Sequence, residues 1–556
     1  MNCELLQKYG DFIMAYERLF HVKSNETFED IYNLISSILI TKYKRPIAKI
    51  ILNILSAIQF NYRYIDLYVK IINQIISNFS IKYDVLFNNK KIQNIQTELK
   101  LSQHPENPNK MKYDQKIYPK ENEIHFIIMH DQIDKFREYI IQESLDEVSI
   151  YIPTFSNLTP IEVCCYYGSA NIFYFLKLNF NVKLSSKLLL YSIIGGNTDI
   201  INDCMKNYDI SKQFLQHIIV SHNNDMLEYL IRGDLIHLED IDNKPIILSD
   251  NLKALLLMFE KNQNSIFPWC AAFPQSIDIL RNNDINLNKS DYNFHNLLHF
   301  AAASDNMDIC KFLLGSSKFD KNNANRLGKY SKTPLYYAVK NNNTELVSLL
   351  FYHGASADLR LSTRKTAFHY AAKYNRIEMI KILVEHGADI NATYLPDAQT
   401  ALHNAAKNNY KETAELLISF GADVNSKDKF MKTPLHYAAS CNSIKVADIL
   451  ITHGANINAI DVDRQNALHI AVQKRYNTMA EYFVKNGVDI NAQNNKGQCA
   501  IHIAAGRCSM KLIRFLISKK ADISIKDNDG HTPIYYAIEK QRNAIINLFT
   551  SLGAVN

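Results

Sequence analysis

Apolar residues along this chain fall in short bursts at helical spacing, and past residue 290 the bursts keep a fixed phase. Met379, Ile380, Ile382, Leu383 and Val384 make the apolar stripe of one helix, and Leu435, Ala438 and Ala439 that of a shorter one. The first 100 residues also predict helices, without that phase. Leu5, Leu6, Tyr9, Phe12, Ile13, Tyr16, Leu19 and Phe20 follow a 3.6 period, as do Phe28, Ile31, Tyr32, Leu34, Ile35 and Ile38. Pro46 starts a third helix through Ile47, Ile50, Ile51 and Ile54, and Tyr64 to Phe79 make a fourth. Residues 101–121 are poor in apolar side chains and hold Pro105, Pro108 and Pro119, which predicts a mobile linker. From 122 a paired-helix rhythm sets in: 124–130 with 133–140, then 188–207 and 214–231, at a period shorter than that of the second half. Residues 240–265 are the hardest to assign.

The phase itself is carried by two phrases. Thr433-Pro434-Leu435-His436-Tyr437-Ala438-Ala439 has relatives beginning at Thr333, Thr366, Thr400, Asn466, Cys499 and Thr532, so the successive intervals are 33, 34, 33, 33, 33 and 33. Six of the copies close on a glycine: Gly354, Gly387, Gly421, Gly454, Gly487 and Gly553. A fixed period of this size means a stack of one supersecondary unit, not a single enzyme core around one pocket.

The residue types fit such a unit. Thr433 suits an N-cap whose hydroxyl accepts from the free amides of the first turn. Pro434, like Pro334 and Pro533, follows at the first helical position, where a missing N–H costs nothing. The small alanine pair lets a second helix approach closely. Asn342, Asn375, Asn409 and Asn442 stand where the first helix should end in a left-handed residue, and Arg475, Cys508 and Gln541 hold that place in later copies with less favourable chemistry.

With those residues placed, the chain resembles an ankyrin-repeat protein, whose unit carries the Thr-Pro-Leu-His-x-Ala phrase at this period. The resemblance is strong over 291–556, which holds eight copies, counting one at Asn296-Leu297-Leu298-His299-Phe300-Ala301-Ala302. The step from Asn296 to Thr333 is 37 residues, predicting a small insertion between Asn322 and Lys332. The resemblance implies an all-α solenoid of stacked helix-turn-helix units. Residues 122–290 are expected to continue it as divergent repeats: Thr159-Pro160 recovers the cap, Gly168 the stop, and Glu162 replaces the histidine. Residues 1–100 are expected to be a separate helical bundle, and this half resembles the divergent helical regions of unknown function that head ankyrin arrays in single-celled eukaryotes.

Composition changes little. The net charge of +6 is small for 556 residues, and the chain lacks the dense basic clustering of a nucleic-acid binder. Nine cysteines, an odd number without a C-x-x-C pair, fit small buried hydrophobes in a reducing compartment. No apolar run reaches membrane length. The expectation is a soluble cytoplasmic chain, with the nucleus left open, no membrane insertion and an undetermined oligomeric state.

Candidate chemistry is thin. His299, His369, His403, His436, His469 and His502 occur once in each of six copies, but one repeat apart they cannot converge on a metal. They are expected to bond the capping threonine and neighbouring loop backbone. Asp389/Asn391, Asp423/Asn425 and Asp489/Asn491 lack the remaining ligands of a calcium loop and suit turns instead. Gly195-Gly196 lacks the Lys-Ser/Thr of a phosphate loop, and no nucleophile motif is found. No catalytic residue, cofactor or metal is therefore expected. The resemblance implies a concave surface for partners, lined by positions after the alanine pair and before the cap. On this chain these include Lys340, Lys373, Tyr374, Lys407, Lys474, Arg507 and Lys540, with Lys332, Lys365 and Lys432 before caps and Tyr330 and Phe430 in the loops. That basic, aromatic stripe suits an acidic protein face; the alternative is that these lysines only solvate the surface. The function expected is a non-catalytic protein-binding adaptor. The alternative is a recruiting subunit of an enzyme complex, with the N-terminal helices as a second docking site.

Overall fold

The computed structural model describes residues 2–554 except 24, 82–89, 104–106, 108, 114–117, 146–147, 154, 181, 207, 209, 282–284, 361 and 508–509. Cys508, expected at a first-helix end, lies outside the described residues, and the side chain of Cys3 does too. The fold is all-α. Its chain divides into two compact units, Met1–Gln275 and Ser276–Asn556.

The first unit opens with the helices that the 3.6 spacing predicts: Asn2–Lys8, Gly10–Phe20, Phe28–Leu34, Ile47–Phe60 and Ile65–Asn78. Thr27 caps the third with Asp30 closing a reciprocal pair, and that helix runs on into π-helical turns over Ile35–Lys42. A further helix, Lys90–Glu98, carries too few apolar residues to have been predicted. Within the expected linker, Leu101–Gln103 pairs with Met111–Tyr113 as an antiparallel hairpin. Met111 is buried, and Asn73 of the fifth helix bonds both its N–H and its carbonyl, which fastens this second strand to the helix.

Five helix pairs complete the first unit: Ile124–Met129 with Ile133–Gln142, Pro160–Tyr167 with Ala170–Asn179, Ser186–Gly195 with Thr198–Met205, Lys212–Val220 with Asn224–Arg232, and Asn243–Ser249 with Leu252–Lys261. The last pair occupies the stretch whose sequence was hardest to assign. The second unit repeats the same pair from Leu297–Ala303 with Met307–Gly315 to Pro533–Glu539 with Asn543–Ser551. Two short 3-10 turns, Lys321–Asn325 and Lys329–Ser331, fill the insertion expected between Asn322 and Lys332.

Successive first helices lie side by side in both units. Leu402, Leu435 and Leu468 are each no more than 1% exposed, and the alanine pairs Ala405/Ala406, Ala438/Ala439 and Ala504/Ala505 are fully buried. One unit alone would leave these faces wet, so each is covered by its neighbours. Among the described residues, no helix is long and apolar enough to cross a membrane.

Candidate functional site

The signature residues form two hydrogen-bond ladders that join one repeat to the next. Thr433, Thr400 and Thr366 each cap a first helix, and the histidine three residues on returns a bond to the cap. In the Thr433 copy, the Thr433 N–H donates to His436 Nδ1 at 3.1 Å, and its hydroxyl lies 2.9 Å from the same nitrogen. The far nitrogen, Nε2, then reaches backbone of the next copy. His299 meets Lys332, His403 meets Lys432, His436 meets Gln465, His469 meets Gln498 and His502 meets His531, over 3.0–3.3 Å. His369 departs from this rule. It donates to Ala392 at 2.8 Å; Tyr394 stands edge-on against the ring, and the Tyr394 N–H donates to the backbone carbonyl of Gln399, the counterpart of the acceptor in the other copies, at 3.1 Å. Burial pushes all six imidazoles down, His299 and His369 to about 4.

Where Tyr336 holds the histidine place, the Thr333 hydroxyl takes the Tyr336 amide at 3.1 Å. Pro334, Pro434 and Pro533 stand at the first helical turn, and Thr532 caps the last pair. In the Cys499 copy the thiol lies 2.9 Å from His502 Nδ1. This cysteine–histidine contact was not anticipated from sequence. The thiol is fully buried and burial pushes it up to about 11, which is the reverse of an activated nucleophile.

The second ladder uses the Asp/Asn pairs. The Asn391 N–H bonds Asp389 in its own turn, while the Asn391 carbonyl oxygen takes the N–H of Asp423 at 2.9 Å and its amide donates to Gly421. Asn425 does the same for Asn456 and Gly454, and Asn491 for Asp522. These side chains are thus spent on turns and neighbours. The first helices end in left-handed residues at Asn342, Asn375, Asn409, Asn442, Arg475 and Gln541. The second helices end at Gly354, Gly387, Gly421, Gly454, Gly487 and Gly553, whose φ of +80° to +93° suits glycine; Lys520 occupies the equivalent place at +67°.

A further set of residues escaped the sequence reading. Asp291, Asp428, Asp461, Asn494 and Asp527 each accept two amides of the loop before a cap, as Asp428 does from Phe430 and Lys432 at 2.8 Å. Their constant place five residues before the cap was the available signal. Asp527, Asp529 and His531 bring potential ligand atoms within 4.8 Å of one another. One Asp527 oxygen holds two loop amides and the other the Tyr536 hydroxyl, so its carboxylate serves the turn.

The expected partner-binding residues fall into distinct settings. Lys340, Lys373, Lys407, Lys474, Arg507 and Lys540 are exposed at first-helix ends, with Tyr374 beside them. Lys332, Lys365 and Lys432 are half-buried in the loops, and Tyr330 and Phe430 are 61% and 41% exposed. The structure brings one subset together. Lys365, Lys373, Tyr336, Tyr370 and Tyr394 line a hollow of about 240 Å³, with Lys365 Nζ 4.5 Å from the centre of the Tyr394 ring. Lys332 Nζ sits 5.5–5.9 Å from the rings of Tyr330, Tyr336 and Tyr337. Arg376, not singled out in the sequence, lies over Tyr370 and Tyr374 and donates to the Lys340 carbonyl. Burial lowers the pKa of Lys332 and Lys365, and Lys340 and Lys373 respectively push the same way. By contrast Lys432 faces Asp461 and Lys540 pairs with Glu539.

Comparison with known families agrees with this geometry. The family model described as ankyrin repeats (3 copies) matches residues 269–360, 298–394, 353–428, 393–461 and 468–555, together about half of the chain. A second model, a domain of unknown function (DUF3447), matches residues 180–258. No curated protein matches the chain. Ankyrin repeats serve as protein–protein interaction modules and are typically non-catalytic. The paired helices, the two ladders and these matches place the chain in the ankyrin-repeat family.

Proposed function

We propose that the chain is a non-catalytic adaptor whose second unit takes an acidic segment of a partner protein along the concave face of its repeats. The observation that carries this reading is the lysine set Lys332, Lys340, Lys365 and Lys373. Among the described residues Lys332 faces Lys340 and Lys365 faces Lys373, Lys332 and Lys365 lie against tyrosine rings, and none of the four is in an ion pair with a carboxylate. Cations drawn together at a hollow without a counter-charge favour an anionic guest, and the rings add contact area and cation–π stabilisation that a solvated lysine face would lack. An extended acidic peptide meets both requirements. A non-catalytic role is supported by the six ladder histidines, which are engaged with caps and carbonyls, and by burial, which raises the thiols of Cys164, Cys165, Cys270, Cys310 and Cys499. The experiment is binding of the full chain to a panel of acidic peptides about fifteen residues long, with neutral peptides of matched length as control. Equal binding of both kinds would refute the reading.

A further inference from the structure

The left-handed residues that end first helices give a common register for both units. In the first unit they are Asp131, Gly168, Gly196, His222 and Asp250. Counting back two residues from each gives Met129, Tyr166, Ile194, Val220 and Leu248, all apolar or aromatic, where the second unit has Lys340, Lys373, Lys407 and Ser440. The row proposed to meet a partner in one half is thus aromatic and aliphatic in the other.

In the first unit the N-terminal helices hold the ends of these first helices, with Tyr166 of the row among the residues held. The Tyr166 hydroxyl donates to the Gln59 carbonyl at 2.8 Å, and Arg63 donates to the Tyr167 carbonyl while lying over its ring. His222 stacks between Tyr16 and Phe20, at 5.4 and 4.6 Å between ring centres. Asp250, 1% exposed, receives Arg45, Lys49 and the Tyr16 hydroxyl, the last at 2.9 Å. Asn224 and Lys253 hold Glu17. Each contact joins the helix Gly10–Phe20, the helix Ile47–Phe60 or the residues flanking the latter (Arg45 and Arg63) to a first-helix end or the start of the second helix beside it. The seat is not sealed: a hollow of about 440 Å³ remains beside it, lined by Leu52, Ser56, Val220 and Leu248.

We propose that the N-terminal helices are the chain's own ligand, bound in cis to the partner-facing row of its divergent repeats and locked there by Arg45 and Lys49 on Asp250. While they are seated, that half of the array offers its row to no other protein, and partner binding belongs to the second unit. The basic pair on the N-terminal side and the buried Asp250 on the repeat side give the contact its register, because among the described residues Arg45 and Lys49 have no other carboxylate in an ion pair and Asp250 no other cation.

The test is a protease recognition sequence inserted between Lys120 and Glu121, both exposed, in the otherwise full chain. After cutting, piece 1–120 should co-elute with 121–556 in gel filtration at micromolar concentration. Arg45→Glu with Lys49→Glu should release it, and adding Asp250→Lys to those two should restore most of the retention. Dissociation from the unaltered chain once cut would overturn the proposal, as would undiminished retention in the Arg45→Glu/Lys49→Glu chain. The restored chain guards against simple misfolding: if retention stays lost while circular dichroism shows full helicity, the charge lock is refuted.

Discussion

His436 Nε2 lies 3.1 Å from the carbonyl oxygen of Gln465, 29 residues further along the chain. A carbonyl only accepts, so Nε2 carries the hydrogen, and Nδ1 is left as a lone pair facing the Thr433 N–H. A second proton at Nδ1 would point a donor at a donor. The same arrangement recurs at His403 and His502, which makes the neutral ring a requirement of the stack.

Stability should therefore fall with acid well before the carboxylates titrate. The buried imidazoles have folded pKa values below the ordinary 6.5, with His299 and His369 at about 4, so the unfolded chain binds more protons as pH drops. Their contribution is complete above pH 6.5 and is lost as pH falls towards 4. Urea unfolding followed by circular dichroism should show a lower midpoint at pH 5 than at pH 7.5. Equal midpoints would mean that the rings are not held neutral.

Leu435→Ala should destabilise the second unit by about 2–5 kcal/mol, the range for truncating a core leucine, since the side chain is 1% exposed between neighbouring units. Denaturant titration measures this directly. A loss below about 1 kcal/mol would show that the interface closes over the gap or was never tight.

Lys520→Gly should stabilise by about 0.5–1 kcal/mol. Lys520 adopts φ +67° where the other second helices end in glycine, and a side chain in that region costs roughly 1–2 kcal/mol, partly offset by the larger unfolded-state entropy of glycine. The melting temperature should rise.

Reversing Lys365 and Lys373 to Glu should slow association with acidic peptides by about tenfold at low salt, with a smaller change in dissociation. The difference from the unaltered chain should shrink between about 50 and 300 mM salt as screening grows. Stopped-flow kinetics separates the two rates, and a change confined to dissociation would point away from steering.

The second half of the fold was legible because local chemistry and stacking make the same demand there. A cap, a proline, an alanine pair and a glycine must recur at fixed offsets, or the ladders miss their partners. The stretch 240–265 was opaque because its cap is Asp242, its left-handed residue is Asp250 and its alanine pair is gone. Only the steps from Gly196 to His222 to Asp250 mark it, and they emerge once the dihedral angles are known. The hairpin at 101–113 was missed since three-residue strands with one buried side chain leave no alternation to detect. For the candidate site, the lysines were legible as positions but their grouping was not. Tyr394 enters the hollow only because the loop before Thr400 is one residue longer than its neighbours.

The imidazole donors all point the same way along the chain, each towards the following copy. The array consequently has a head and a tail. Removing units from the C-terminal side strands a buried N–H that water cannot easily reach, whereas trimming the opposite side of the second unit frees a loop carbonyl at the rim. Loss or gain of repeats, whether in the laboratory or over evolutionary time, should be tolerated more readily at one end than at the other.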